Sequence, residues 1–207
     1  MYVELLQMDL DQSSEKSLNR LNIIDGESNR LRRLIDNILD AGKIEKGIKT
    51  YKFEIIELNE ILCKVLNEIK HQADMKKQTM NFDNSPTEFY INGDSDAVER
   101  AVINLLTNSI KYSDENASID ISVLSRNGFI GIKVRDSGKG MEQVQLGKIF
   151  EPYYRSEKEA ELKEKGTGLG LAIVKHIMDA HNGKVEVESE VGKGSTFTLW
   201  FPEITDE

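Results

Sequence analysis

A chain of 207 residues with 39% hydrophobic and 30% charged side chains has room for one full domain plus a smaller helical element, and it is too apolar to stay disordered. Its formal net charge of -9 excludes a nonspecific nucleic-acid binder, because phosphate backbones reward basic surfaces; an anionic ligand needs local cations, backbone amides or a metal. No apolar run approaches the roughly 20 residues of a membrane span, and a lone cysteine, Cys63, excludes an intramolecular disulfide and suits a reducing, cytoplasmic setting.

Residues 2–46 contain no proline, and Leu21, Ile24, Leu31, Leu34, Ile35, Ile38 and Leu39 recur at helical spacing. The pattern predicts a long helix, with a polar break at residues 11–15 and before it the stump of an earlier helix that folds back as a hairpin. An apolar stripe of this length calls for a partner, and a four-helix bundle made by two copies is the economical one. After Gly47 the pattern changes. A strand is predicted over residues 52–56, then an amphipathic helix over 58–77 whose Cys63 lies in an apolar-periodic stretch where cysteines are commonly buried. A strand over 88–92 and a helix over 94–111 follow. Ile119, Ile121 and Val123 alternate on one side of an Asn127-Gly128 turn, with Ile130, Ile132 and Val134 on the other, and this reads as a hairpin. A helix over 169–181 stops at Asn182-Gly183, and strands over 184–189 and 196–201 flank a turn from Gly192 to Gly194. The expected class is α+β, helices layered on a sheet.

Three constellations carry chemistry. Asn104, Asn108 and Lys111 stand at i, i+4 and i+7 of one helix and so share a stripe. Carboxamides and an ammonium aligned there could hold a hard metal ion and phosphate oxygens; the same stripe would serve as a solvated helix face. Asp136 leaves its strand into Ser-Gly-Lys-Gly-Met, where a carboxylate can accept from an exocyclic amine and Gly138 and Gly140 let backbone approach a flat ring. Asp, Ser and Gly also dominate ordinary turns. Gly166-Thr-Gly-Leu-Gly-Leu opens a helix and offers amides to a phosphate, although it lacks the lysine of a Walker loop and does not follow a strand as a dinucleotide fingerprint would. Between the last two lies Phe150-Glu-Pro-Tyr-Tyr-Arg155, followed by residues 156–165, whose charged composition suits a mobile surface loop and hence a lid.

In order, NLLTNSIKY, DSGKGM, FEPYYR, GTGLGLAI and GKGSTFTLWFP resemble the N, G1, F and G2 boxes of sensor histidine kinases, over nearly the whole chain. The resemblance implies a Bergerat-type ATP-binding α/β sandwich at residues 48–207, preceded at 1–47 by a truncated dimerisation hairpin. It implies ATP and Mg²⁺, with Asn104 as metal ligand and Asn108, Lys111 and Tyr112 facing phosphates and nucleotide. Asp136 would receive the adenine amine, Gly138 and Gly140 would shape its pocket, and Arg155 would meet the terminal phosphate. Gly166, Thr167, Gly168, Leu169 and Gly170 would line the phosphate path, and Asn104, Lys111 and Arg155 would be the catalytic set. Ser195 and Thr196, in the last motif, are equally explained by packing or turn chemistry.

Relatives of this fold such as gyrase and the large heat-shock chaperone place a glutamate where Asn104 stands. A carboxamide takes up no proton near neutral pH, so phosphoryl transfer rather than rapid hydrolysis is implied. The family's acceptor is a histidine on the first hairpin helix, followed by an acidic residue. His71, His176 and His181, the only histidines, have neither feature, so each is read as structural and the chain is expected to begin just past its own acceptor. The implied function is the ATP-binding catalytic part of a two-component protein-histidine kinase, not expected to autophosphorylate. Its implied partners are ATP or ADP, a response regulator receiver domain and a second copy joined through the hairpin, with no nucleic acid. Its implied setting is the cytoplasmic part of a membrane-bound sensor. The alternative is a nucleotide-dependent binding module without phosphoryl transfer; the long hairpin argues against an anti-sigma-type serine kinase.

Overall fold

The computed structural model describes residues 15–83, 87–155 and 167–204; the polar break and the stump before it lie outside them, apart from Glu15. The first element is α1 (Glu15–Glu45), a helix of 31 residues. A short strand β1 (Glu54–Glu57) runs into α2 (Leu58–Met75), where the Glu57 carboxylate accepts from the Asn59 and Glu60 amides and so caps the open helix end. β2 (Thr79–Asp83) and β3 (Tyr90–Gly93) follow. Asp94 then caps α3 (Ser95–Tyr112) by accepting from the Ala97 amide at 2.9 Å. The hairpin is β4 (Ser118–Arg126) and β5 (Phe129–Asp136), turning at Asn127 and Gly128, both with positive φ, as the Asn-Gly pair anticipates. A one-turn α4 (Gln143–Leu146), α5 (Gly170–Ala180), β6 (Lys184–Glu190) and β7 (Gly194–Pro202) complete the chain.

The main sheet has the order β2-β4-β5-β7-β6, with β2 parallel to β4 and the other pairs antiparallel, while β1 and β3 form a separate two-stranded piece. One sheet face meets α2, α3 and α5 through a core that includes Leu62, Val65, Val98, Leu105, Ile121, Ile132, Val174 and Leu199. This is the expected α+β sandwich. The opposite face carries Trp200, only 2% exposed. Its indole N–H donates to Glu186 Oε2 at 2.7 Å, Arg126 lies over the ring at 4.6 Å, and Gly131 on the paired strand leaves room beneath it.

Three expectations are corrected. β2 was not anticipated, although Met80 and Phe82 alternate with the polar Thr79, Asn81 and Asp83. α2 ends at Met75 rather than 77, where Lys77 takes φ 54 and cannot continue a helix. Cys63 is exposed, since the buried stripe of α2 runs through Leu58, Ile61, Leu62, Val65 and Ile69 and turns Cys63 outward.

α1 joins this body through its last turns. Ala41 and Ile44 pack partly against the core, and Asp40, 5% exposed, is held by Lys49 Nζ at 2.9 Å and by the Arg100 guanidinium of α3. Farther up, Ile24, Leu31, Ile35, Ile38 and Leu39 are each about half exposed. Among the described residues no helix is long and apolar enough to cross a membrane.

Candidate nucleotide site

Helix α3 is the spine of the site. Val98, Ala101, Val102, Leu105, Leu106 and Ile110 are buried, and burying that stripe turns Asn104, Asn108 and Lys111 onto a partly exposed face. Asn104 sits where α5 begins: a Cβ at Gly170 would stand 3.3 Å from its Oδ1. Asn104 Nδ2 is buried with no hydrogen-bond partner among the described residues. An amide excluded from water and left unmatched costs about 1–3 kcal/mol, which is tolerated where a ligand completes the set. At the far end, Lys111 Nζ donates to the Tyr112 hydroxyl at 2.7 Å and lies 4.3 Å above its ring.

Asp136 ends β5 and is 6% exposed. Its Oδ1 accepts from the Gly138 and Ser195 amides at 2.9 and 3.2 Å, and its Oδ2 from Ser109 Oγ on α3 at 3.2 Å. Burial pushes the carboxyl above its usual range, while the bonds from Gly138, Ser195 and Ser109 pull back towards the ionised form. A carboxylate oxygen accepts two bonds, so Oδ2 has capacity for a ligand donor. The following loop is held by backbone: the Lys139 amide donates to the Tyr112 carbonyl at 3.2 Å and the Gly192 amide to the Lys139 carbonyl at 2.8 Å. Gly138 is obligatory there, since a Cβ would fall 2.7 Å from the Tyr112 carbonyl oxygen; at Gly140, with φ +65, it would fall on the Glu190 carbonyl.

The glycine loop closes the other end. Gly168 takes φ +69, its carbonyl accepts from the Tyr153 amide at 2.9 Å, and a Cβ on it would meet the Tyr153 carbonyl carbon at 2.7 Å. The Phe150 to Arg155 segment is thereby pinned beside the start of α5. Thr167 Oγ1 accepts from the Leu169 amide at 3.3 Å. Leu169 itself is buried in the core, so its side chain packs and only its main chain can face a phosphate. Arg155 is partly buried. Gly166 and the proposed lid at residues 156–165 lie outside the described residues.

The sequence reading missed the shell around Asp136. Ser109 follows Asn108 on the helix, and Ser195 is opposite Asp136 in the β5–β7 register, so strand pairing was the signal that would have found it. Ser189 Oγ completes the corner by bonding Ser195 Oγ at 2.9 Å and accepting from the Met141 amide at 2.8 Å. Thr196 pairs with Arg135 and Glu188 within the sheet. Of the histidines, His181 is structural: its Nδ1 pairs with the Ile177 carbonyl at 2.7 Å and its Nε2 accepts from the Asp94 amide at 2.9 Å. His176 is partly buried beside Tyr51. His71 is exposed on α2.

Helix α3 thus has a buried carboxylate, Asp136, bonded beside its C-terminal half and the start of the glycine-loop helix against Asn104. The family model described as histidine kinase-, DNA gyrase B-, and HSP90-like ATPase matches residues 93–205, more than half of the chain, and the chain belongs to that family. It is 33% identical over 180 residues to the sensor-like histidine kinase SenX3 of Mycolicibacterium smegmatis, covering 87% of this chain and 47% of that protein. The catalytic domain of histidine kinase ThkA superposes with a TM-score of 0.64 at 26% identity, covering 73% of this chain and 96% of that one. Full-length ShkA in complex with AMPPNP, at 21% identity, shares the fold with a TM-score of 0.75 over 99% of this chain and 42% of that one. The chain spans less than half the length of the curated relatives it matches.

Proposed function

We propose that this chain is the ATP-binding catalytic part of a sensor protein-histidine kinase, which passes the γ-phosphoryl group of ATP to a histidine for two-component signalling. The observation that carries the reading is the stripe of α3: the face that meets the glycine loop presents the carboxamides Asn104 and Asn108 and no carboxylate. Neither can take a proton from water near neutral pH, so the site holds a phosphoryl group for another nucleophile instead of hydrolysing it rapidly. AMPPNP in the ShkA structure supports the same ligand class here.

In this reading Asp136 accepts the adenine amine, with Gly138 and Gly140 giving the ring backbone to lie against. Asn108, Lys111 and Tyr112 face the phosphates, and the amides around Thr167, Gly168 and Gly170 line their path together with Gly166 and the main chain of Leu169. Lys111 and Arg155 oppose charge that develops on the transferring group. The Asn104 Oδ1 would serve as an oxygen ligand for Mg²⁺, and the unmatched Nδ2, a donor, fits a phosphate oxygen beside it. When bound, that ion supplies charge neutralisation between phosphate oxygens.

The domain boundary falls at about residue 47, with α1 as a hairpin helix that pairs with a second copy. The receiver domain of a response regulator is the downstream partner, and the cytoplasmic part of a membrane sensor is the setting. The test follows γ-labelled ATP with Mg²⁺, on this chain alone and then with an added histidine-bearing dimerisation fragment. Label on the added fragment is expected. Binding without label on either would leave a nucleotide-dependent binding module.

A further inference from the structure

The junction between α1 and the nucleotide domain is held by charge where apolar packing is incomplete. A cleft of about 410 Å³ opens between the two, lined by Ala41, Ile44 and Glu45 of α1 and by Phe150, Leu169 and Ile173 of the domain, so that Ala41 and Ile44 are only partly buried against the core. Apolar contact that loose does not select one angle between two bodies, because unique packing needs filled, complementary surfaces. Beside the cleft, Asp40 is buried between two cations from separate parts of the chain, Lys49 in the linker and Arg100 on α3. Beyond Lys49 the linker is fixed, with the Tyr51 and Phe53 rings 5.6 and 4.9 Å from that of His181. The freedom that remains is the swing of α1 about residues 46–50, and the Asp40 carboxylate blocks it.

Arg100 also stands one turn before Asn104 and on the same stripe of α3. One rigid helix therefore carries the partner of Asp40 at one point and the candidate metal ligand at the next. We infer that Asp40 is a positioning residue: by holding Lys49 and Arg100 together it sets the angle at which α1 leaves the nucleotide domain, and with it the approach of a hairpin-borne acceptor to the phosphate end of the site. Buried charge is poor at adding stability and better attested at specifying one arrangement. The consequence for transfer rests on the kinase reading above; the angular lock does not.

The lock is read as a distance within one chain. Nitroxide labels at Ser28→Cys on α1 and Val191→Cys in the β6–β7 turn, both exposed sites, go into a Cys63→Ser background diluted with unlabelled chain. A single narrow distance is expected for the parent and its loss for Asp40→Asn, with nucleotide affinity unchanged. Lys49→Gln and Arg100→Gln, which alter partly exposed cations, should lose it too if Asp40→Asn fails to fold. The exchange Asp40→Arg with Arg100→Asp keeps a carboxylate between two cations and should restore the narrow distance. With an added acceptor fragment, the same variants should lower kcat by about ten- to a hundredfold at unchanged KM for ATP, and the exchange should recover it. A distance left narrow and unshifted by Asp40→Asn overturns the inference. Failure of the parent to label any acceptor overturns the kinase reading alone.

Discussion

Asp136 serves stability and binding in opposite senses. Burial is the leading influence on its carboxyl and raises the pKa, so its contribution to stability is fully present below the unfolded pKa and is lost as pH rises through the folded one. At neutral pH the ionised group is a cost that the fold carries. Asp136→Asn removes the charge and keeps an oxygen for the Gly138 and Ser195 amides, while the Ser109 hydroxyl can turn to accept from the new amide. The variant should unfold no more easily than the parent at pH 7 in a thermal melt. Adenine nucleotides should nevertheless bind about ten- to a hundredfold more weakly by titration calorimetry, since a hydrogen bond to a charged group is worth about 1.5–3 kcal/mol and the new amide presents a donor to a donor. Unchanged affinity would remove Asp136 from the site. His181 carries the reverse sign. Burial, its largest influence, lowers its pKa, and protonation would turn Nε2 from acceptor to donor against the Asp94 amide. Its contribution is present above the unfolded pKa of about 6.5 and is lost as pH falls through the folded one. The stability advantage of the parent over His181→Gln should therefore shrink between pH 8 and pH 5 in denaturant titrations; a constant gap would show that this imidazole does not titrate with unfolding.

At the scale of elements, the β5–β7 pair depends on an absent side chain. A Cβ at Gly131 would fall 2.6 Å from the Trp200 ring, which is held by its bond to Glu186 and by Arg126 above it. Gly131→Ala should cost about 1–3 kcal/mol in denaturant unfolding, the usual range for overpacking, and leave nucleotide affinity alone because this sheet face points away from α3. Trp200→Leu in the same background should recover part of the loss; strict additivity of the two changes would mean that they do not meet. Elements whose patterns repeat were legible in the sequence, and elements made by pairing were not. The Val98 to Ile110 stripe declares α3 and so places Asn104, Asn108 and Lys111. The Asn127-Gly128 turn declares the hairpin and leads to Asp136. β2 is an edge strand of five residues, whose brief alternation of Met80 and Phe82 with polar residues is secured only by its pairing with β4. The Ser109 and Ser195 contacts to Asp136, at sequence separations of 27 and 59, belong to the folded arrangement and left no local signal. Cys63 was misplaced because an apolar stretch says that a helix has a buried face, not which residues lie on it.

At the scale of the molecule, α1 is out of balance with the rest. The exposed apolar residues of the domain body are scattered, yet Ile24, Leu31, Ile35, Ile38 and Leu39 remain about half exposed along one helix of 31 residues. Leu31 and Ile38 lie seven apart, with Ile35 between them, so the three share one side of the helix as a helix-pairing seam requires. Burying an apolar side chain of this kind is worth about 1.5–3 kcal/mol relative to leaving it exposed, and a second α1 would cover several at once. Loss of rotational and translational freedom opposes association by several kcal/mol, so the outcome is concentration-dependent self-association, not an obligate dimer. Sedimentation velocity across a concentration series should show a monomer giving way to a dimer. Leu31→Glu with Ile38→Glu should hold the chain monomeric, because each would bury a carboxylate against an apolar seam. Nucleotide affinity should not change, since both side chains stand about half exposed on α1 and neither belongs to the candidate site. If the double variant still dimerises, the contact lies elsewhere, and the exposed Phe53 and Ile55 beside the β1–β3 piece become the place to look.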